Sequence, residues 1–494
     1  MAVSLSFPAL PKGRAASWSN QAIVPQAAPP FGPSKGPEVM DQPNFLSERI
    51  SRYLLYAIVV VSPLVLGSNR PIFWAFNALL AGFSLVFFAL TEWPKRTVSR
   101  FGWHGPFAVA ALLALAVTWM ALQILPFWPS ALNHPLWTES SRLVPSRGAI
   151  SLAPRMTLTA LAWTAPLAIC LVASRLGMSS RYGPFAIKLM LAVISLVAAF
   201  GLAVEANDLG TVGITAKVYY QGWVTGTFVS RNTAAAFFAI GIALALALSL
   251  EDVKARRPHS HVRPLRAAWQ WIGSRQGFYG LLAAFLWFTA VMTGSRGGVL
   301  AASAGIGLIL LLVLMKSAGT RRRLALWLWP LPLAGMGLAI FVLLERADNA
   351  ASSNIGRLSL YREALAAIAD RPFLGHGAGA YEGLQPLYHS ETTPSHLLWN
   401  HAHSGALELM AGMGIPVALT LIAAFLALIL YLARSYWRAT KPSPGSLAAA
   451  AALTAAGVHG LYDFSLETQS IALYVAILAG LGLGEAARLA RPSR

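Results

Sequence analysis

The sequence predicts an all-α fold: a polytopic membrane protein of about twelve transmembrane helices, both termini cytoplasmic, with a long outer loop between spans nine and ten. Three observations lead there. Of 494 residues, 56% are apolar or aromatic and only 12% charged, which is far from the composition of a soluble domain. Apolar runs recur from Ile50 to the C-terminus, and runs of about 17 to 25 residues can cross a hydrocarbon core as helices. The basic residues also fall mainly on one side of those runs.

The runs are Ile50 to Gly67, Pro71 to Thr91, Pro106 to Leu125, Leu158 to Ala173, Phe185 to Val204, Asn232 to Leu250, Phe278 to Thr293, Val299 to Met315, Leu324 to Leu344, Gly405 to Leu432, Leu447 to Leu461 and Ser470 to Gly484. They divide the chain into a tail (1–49), spans one to nine (50–344), an outer loop (345–404) and spans ten to twelve (405–494). The tail is rich in proline and has no apolar stretch long enough for a signal-peptide core, so it is expected to be disordered on the cytoplasmic side.

With the N-terminus inside, the inner segments hold 27 of the 38 Lys and Arg and 7 of the 19 acidic residues, a net charge of +20. The outer side has 11 basic against 12 acidic residues, a net charge of −1. The overall +19 is thus the positive-inside bias of a bilayer protein, and a nucleic-acid partner is unnecessary. The single cysteine, Cys170, excludes an intrachain disulfide and any thiolate cluster.

The outer loop, Glu345 to His403, carries His376, His389, His396, His401 and His403, half of the ten histidines. Long ordered loops in compact proteins are usually functional. Within it, Arg357 to Asp370 spaces Leu358, Tyr361, Leu365 and Ile368 as one face of an amphipathic surface helix, stopped by Arg371-Pro372. The following GHGAG supplies glycines for a tight turn or a close approach to a ligand. No preceding strand makes it a nucleotide motif.

Arg296 stands alone in TGSRGG at the tip of a hairpin bracketed by Arg275 and Lys316. A snorkelling anchor is the commoner fate of such an arginine. The flanking glycines, and a position on the acidic side, favour anion binding instead. Arg231 opens the sixth span, and with Arg296, Arg357 and Arg362 it makes four outer guanidiniums that packing could gather. Planar bidentate donors suit phosphate, so a lipid-linked phosphate or diphosphate is the expected ligand.

His401 and His403 precede the tenth span, and His403 is expected in its first turn. A neutral imidazole there suits a general base acting on a sugar hydroxyl. A metal site is the lesser alternative, because no second cluster with ligand spacing accompanies the pair. Asp463, at the end of the eleventh span near His459, reads as a helix cap or a support for the site. A transporter of lipid-linked or soluble sugars is the competing class. Its usual marks, internal repeats and ionisable groups near the bilayer midplane, are not evident. An envelope scaffold would leave the arginines and histidines unexplained.

Together GSNRPIFWAF, SRNTAAAFFA, TGSRGG, GRLSLYREALAAIADRPFLGHGAGAY, NHAHSGALELMAGMGIP and HGLYDFSLE, in order over residues 67 to 467, resemble the O-antigen ligase and polymerase family of bacterial envelopes. The resemblance implies a metal-independent glycosyltransferase without cofactors, multi-pass in the bacterial inner membrane and active at its periplasmic face. Its donor would be an undecaprenyl-diphosphate-linked glycan, and its acceptor a lipid A core sugar or a lipid-linked repeat, in lipopolysaccharide or exopolysaccharide biosynthesis. The bilayer and polysaccharide assembly proteins would be its other partners. By the same resemblance Arg296 and Arg357 would hold the diphosphate, Arg231 would assist, and His403 or His401 would activate the acceptor. The chain departs from the family in Ser404, where Asn is commoner, and in Tyr361, where Trp is commoner, so either histidine could be the base.

Overall fold

The computed structural model describes residues 45–92, 106–143, 147–177, 182–213, 215–251, 272–316, 347–393, 399–440 and 443–489, with isolated positions between them. The helices are α1 (Phe45–Leu64), α2 (Pro71–Glu92), α3 (Pro106–Gln123), α4 (Pro135–Ser140), α5 (Pro154–Gly177), α6 (Gly183–Ala206), α7 (Arg231–Glu251) and α8 (Arg275–Met292). They continue as α9 (Arg296–Lys316), α10 (Ala347–Asp370), α11 (Tyr381–Leu384), α12 (Gly405–Met413), α13 (Ile415–Arg438), α14 (Pro444–Gly460) and α15 (Gln469–Leu489). Among the described residues the one sheet pairs Thr211–Val212 with Thr215–Ala216, antiparallel, Val212 opposite Thr215.

Among the described residues seven helices are long and apolar enough to cross a membrane, namely α2, α5, α6, α7, α9, α13 and α15. The other predicted spans on described residues are also helical (α1, α3, α8, α14) but shorter or less uniformly apolar. The ninth predicted span, Leu324 to Leu344, falls outside the described residues but for isolated positions, as does the tail before residue 45. On α2, Leu79, Phe83, Val86 and Leu90 stay exposed, an apolar stripe that only lipid or a partner would cover.

The centre of the bundle is α7, buried along its whole length and packed on α8, α9 and α14. Small residues bring these backbones close, as is usual between membrane helices. Gly298 faces Ala235, and Gly305 faces the Ala451 carbonyl and the Ala455 methyl on alanine-rich α14. Around this centre α15 packs on α5, and α1 on α2.

The tenth predicted span is not one helix. It breaks at Gly414, which has φ +79°, a conformation that favours glycine. The Ile415 amide there donates to the Pro372 carbonyl at 2.7 Å, so α12 ends in protein contacts and the membrane-length helix starts only at Ile415. The surface helix predicted over Arg357 to Asp370 also differs from expectation. It begins upstream, at Ala347, and buries Leu360, Ala364, Ala367 and Ile368, while Leu358 and Leu365 remain exposed. Apolar residues lie on two sides of this helix, and the protein-facing side was hidden among its alanines.

Candidate active site at one end of the bundle

Two of the arginines open helices beside one tryptophan. The guanidinium of Arg231, first residue of α7, lies 4.8 Å from the Trp223 ring and 5.5 Å from that of Tyr220. Gly294 turns the α8–α9 hairpin with φ +62°, and the Trp223 ring fills the space that a Cβ there would need. The Val224 amide donates to the Met292 carbonyl at 3.2 Å, tying this segment to the hairpin. Arg296 is the first residue of α9, where the Ser295 hydroxyl caps the helix by accepting from the Gly298 amide at 3.2 Å.

The hairpin in turn reaches the loop between α14 and α15. The Tyr462 hydroxyl donates to the Gly297 carbonyl at 3.1 Å. The next residue, Asp463, is 2% exposed and its carboxylate faces two partners: Arg357 Nη2 lies 3.7 Å from Oδ2, and His403 Nδ1 lies 3.8 Å from Oδ1. These are ion-pair distances, too long for hydrogen bonds. Burial opposes the ionisation of Asp463, but the imidazoles of His403 and His459 and the Arg357 guanidinium hold its carboxyl down at about 2. The expected helix cap is corrected: Asp463 lies three residues beyond the end of α14, and Oδ1 accepts from the adjacent Phe464 amide at 2.7 Å.

His403 is likewise not in the first turn of a helix. It precedes the cap residue Ser404 with φ +52°, a strained conformation for a residue with a Cβ. The Tyr361 hydroxyl donates to its carbonyl at 3.0 Å, and its ring meets Phe464 edge-on at 5.0 Å and Trp399 at 5.7 Å. His403 Nδ1 is buried and without a hydrogen bond among the described residues.

His401 stacks on Phe464 at 4.4 Å and 14°. Its Nδ1 lies 3.1 Å from Glu408 Oε1 and 2.5 Å from Glu467 Oε2. Burial disfavours its charged form, yet the carboxylates of Glu467 and Glu408 outweigh this and raise the imidazole far above its usual value. These three donors lie within 4.8 Å of one another and are the group, among the described residues, that could hold a metal ion. Sequence spacing shows no such set, because Glu467 is distant in the chain and Glu408 falls inside a predicted span.

Arg362 is exposed, about 140° further round α10 than Arg357 at 100° per residue, so the structure does not bring it to Asp463. GHGAG is a tight turn against α12: Gly375, Gly377 and Gly379 have positive φ, and the amides of His376 and Gly377 donate to the carbonyls of Ala411 and Gly412, both at 2.9 Å. His376 is buried and bonded to His134. His389 bonds to Gln385, and His396 lies outside the described residues.

Long apolar helices with partly exposed arginine and histidine side chains around a buried carboxylate define a multi-pass membrane protein with a polar site of its own. Residues 281–422 match the family model described as O-antigen ligase. The match supports the O-antigen ligase resemblance carried by the motifs. It includes Arg296, Arg357, His401 and His403, and stops short of Asp463. A comparison with curated proteins finds no match.

Proposed function

We propose that the chain is a glycosyltransferase of the O-antigen ligase or polymerase type, transferring glycan from undecaprenyl diphosphate to an acceptor sugar at the periplasmic face of the bacterial inner membrane. The observation that carries this reading is the buried Asp463 carboxylate shared by Arg357 and His403. An acid so placed aims a guanidinium and an imidazole at one region without quenching either through a close hydrogen bond.

In the reaction the anomeric C–O bond to the diphosphate breaks as the acceptor hydroxyl forms a new C–O bond. Negative charge grows on the leaving diphosphate. Arg296 and Arg357, with Arg231 assisting, stabilise it in a water-poor site, the task a divalent cation performs elsewhere. His403 takes the acceptor proton, and Asp463 then faces an imidazolium. The present 3.8 Å gap suits this, since catalytic hydrogen bonds often tighten only once substrate is bound. Attack opposite the leaving group gives inversion at the anomeric carbon.

The test is transfer by purified protein in proteoliposomes that contain undecaprenyl-diphosphate-linked glycan and an acceptor. Arg357→Ala is expected to lower kcat by about 100-fold or more, the scale for removing one preorganised donor to developing charge. His403→Gln should abolish measurable transfer. Wild-type rates in both variants would overturn the proposal.

A further inference from the structure

The turn that carries His403 is held from behind by two acids. Glu408, in the first turn of α12, uses both carboxylate oxygens: Oε1 faces His401 Nδ1 at 3.1 Å, and Oε2 accepts from the Ala402 amide at 3.0 Å. Glu467, from the loop before α15, meets the same nitrogen at 2.5 Å. One imidazole nitrogen carries at most one proton, so two ionised carboxylates converging on it would compete for a single N–H and repel each other, which sharing protons among the three groups relieves. Burial and the adjacent Glu408 carboxylate raise Glu467, while His401 holds Glu408 down against its own burial. The consistent state is an imidazolium, one carboxylate and one carboxylic acid, with no net charge.

A metal ion fits these distances less well. Nitrogen and oxygen ligands about 2.0 to 2.2 Å from a tetrahedral ion stand roughly 3.3 Å apart, and both contacts to Nδ1 are shorter than that. Proton sharing is the chemistry they match. The neighbouring titratable groups are His403 on the same turn, Asp463 on the α14–α15 loop and Tyr381 on α11.

We infer that Glu408 and Glu467 are positioning residues which clamp His401 through shared protons, fixing the strained His401-Ala402-His403 turn so that His403, and not His401, receives the acceptor proton. The last clause rests on the function proposed above, while the clamp itself does not. His401 is then a structural cation stacked on Phe464, and the φ of +52° at His403 is maintained by the clamp on one side and the Tyr361 hydroxyl on the other.

The experiment uses full-length protein in nanodiscs, with Glu467→Gln, Glu467→Ala and the double variant Glu408→Gln/Glu467→Gln, reading both transfer and thermal melting from pH 6 to 9. Glu467→Gln copies the protonated carboxyl and is expected to keep at least about a third of wild-type kcat, whereas Glu467→Ala loses about tenfold at unchanged donor KM. In the double variant His401 has no carboxylate. The kcat profile should then gain a protonation at or below the ordinary imidazole value of about 6.5, since burial alone still acts on the ring. Melting carries the clamp independently of activity. A raised imidazole stabilises the fold below its unfolded value and loses that effect as pH rises, so wild type should exceed the double variant most at pH 6 and least at pH 9.

Equal kcat and pH profiles in wild type and double variant, or melting differences that do not shrink with pH, would overturn the clamp. So would a stoichiometric divalent metal whose chelation abolishes transfer and whose return restores it. If the double variant does not fold, equal activity of Glu467→Gln and Glu467→Ala would overturn it. Absence of transfer in wild type, with the melting pattern intact, would instead sink the function and leave the clamp standing.

Discussion

Acidification should loosen the segment around α4 through a chain of two neutral histidines. His376 Nε2 faces the Ala367 carbonyl at 2.8 Å and must donate to it. Its Nδ1 is then an acceptor, and His134 Nε2, 3.0 Å away, must donate. His134 Nδ1 is left to accept from the Leu136 amide at 3.4 Å. A proton added to either ring sets hydrogen against hydrogen. Burial, then His376, then Arg371 lower His134 from 6.5 to about 4, and burial lowers His376 as well, against the help of the Ala367 carbonyl. Asp370 and Tyr388 also border the pair.

The unfolded segment therefore binds more protons between pH 6.5 and 4, and stability falls as pH falls through that window. At about 1.4 kcal/mol per tenfold, about 2 kcal/mol is lost by pH 5, a roughly 30-fold rise in the opening constant. Hydrogen exchange over residues 130–152, corrected for intrinsic pH dependence, measures it. His134→Gln can replace both hydrogen bonds without titrating, so it should flatten the dependence by one proton. Parallel pH slopes in wild type and variant would refute the neutral-pair assignment.

Two further outcomes follow from the geometry. Gly294→Ala forces a Cβ into the Trp223 ring at φ +62°; the backbone term alone is about 1 to 2 kcal/mol, so a clear fall in melting temperature is expected, and an unchanged one would dismiss the Trp223 staple. Glu363, buried on α10, accepts from the Ser390 amide at 2.8 Å, the Ser390 hydroxyl at 2.9 Å, the Thr393 hydroxyl at 2.5 Å and Gln385 at 3.0 Å. Glu363→Ala orphans these donors at about 1 to 3 kcal/mol, and limited proteolysis should cut the 385–393 segment several-fold faster than in wild type.

The helices were legible because a bilayer accepts few other solutions: every span must be apolar over about 20 residues and bonded within itself. The positions of Arg231 and Arg296 at span starts were legible too, and both residues do open helices. What the sequence hid were partnerships across the chain. Nothing local tells that Trp223 backs Gly294, or that His134, in an ordinary-looking loop, bonds His376. Glu408 did leave a signal. It is the one acid in the run from Gly405 to Leu432, and a lone carboxylate in such a run needs a partner. Periodicity failed at Gly414 because hydropathy is blind to φ, and on α10 because alanine marks a close-packed face as readily as a neutral one.

The break at Gly414 ties these features together. A helix continuous from Gly405 to Leu432 would keep its backbone groups within itself and leave no free carbonyls for GHGAG. Because α12 stops, the carbonyls of Ala411 and Gly412 accept from His376 and Gly377, and Gln123 Nε2 reaches both the Gly412 and the Leu374 carbonyls at 2.9 Å. The same short helix carries Glu408, which holds the His401-Ala402-His403 turn. One nine-residue element thus joins the neutral histidine pair on one side to the charged histidine on the other. Its direction is set by protein contacts. The two histidine environments are opposite in sign for a physical reason. His376 has a carbonyl and a second imidazole as neighbours, which accept or supply a single hydrogen, whereas His401 has the Glu408 carboxylate and the Glu467 carboxyl group, which stabilise a cation.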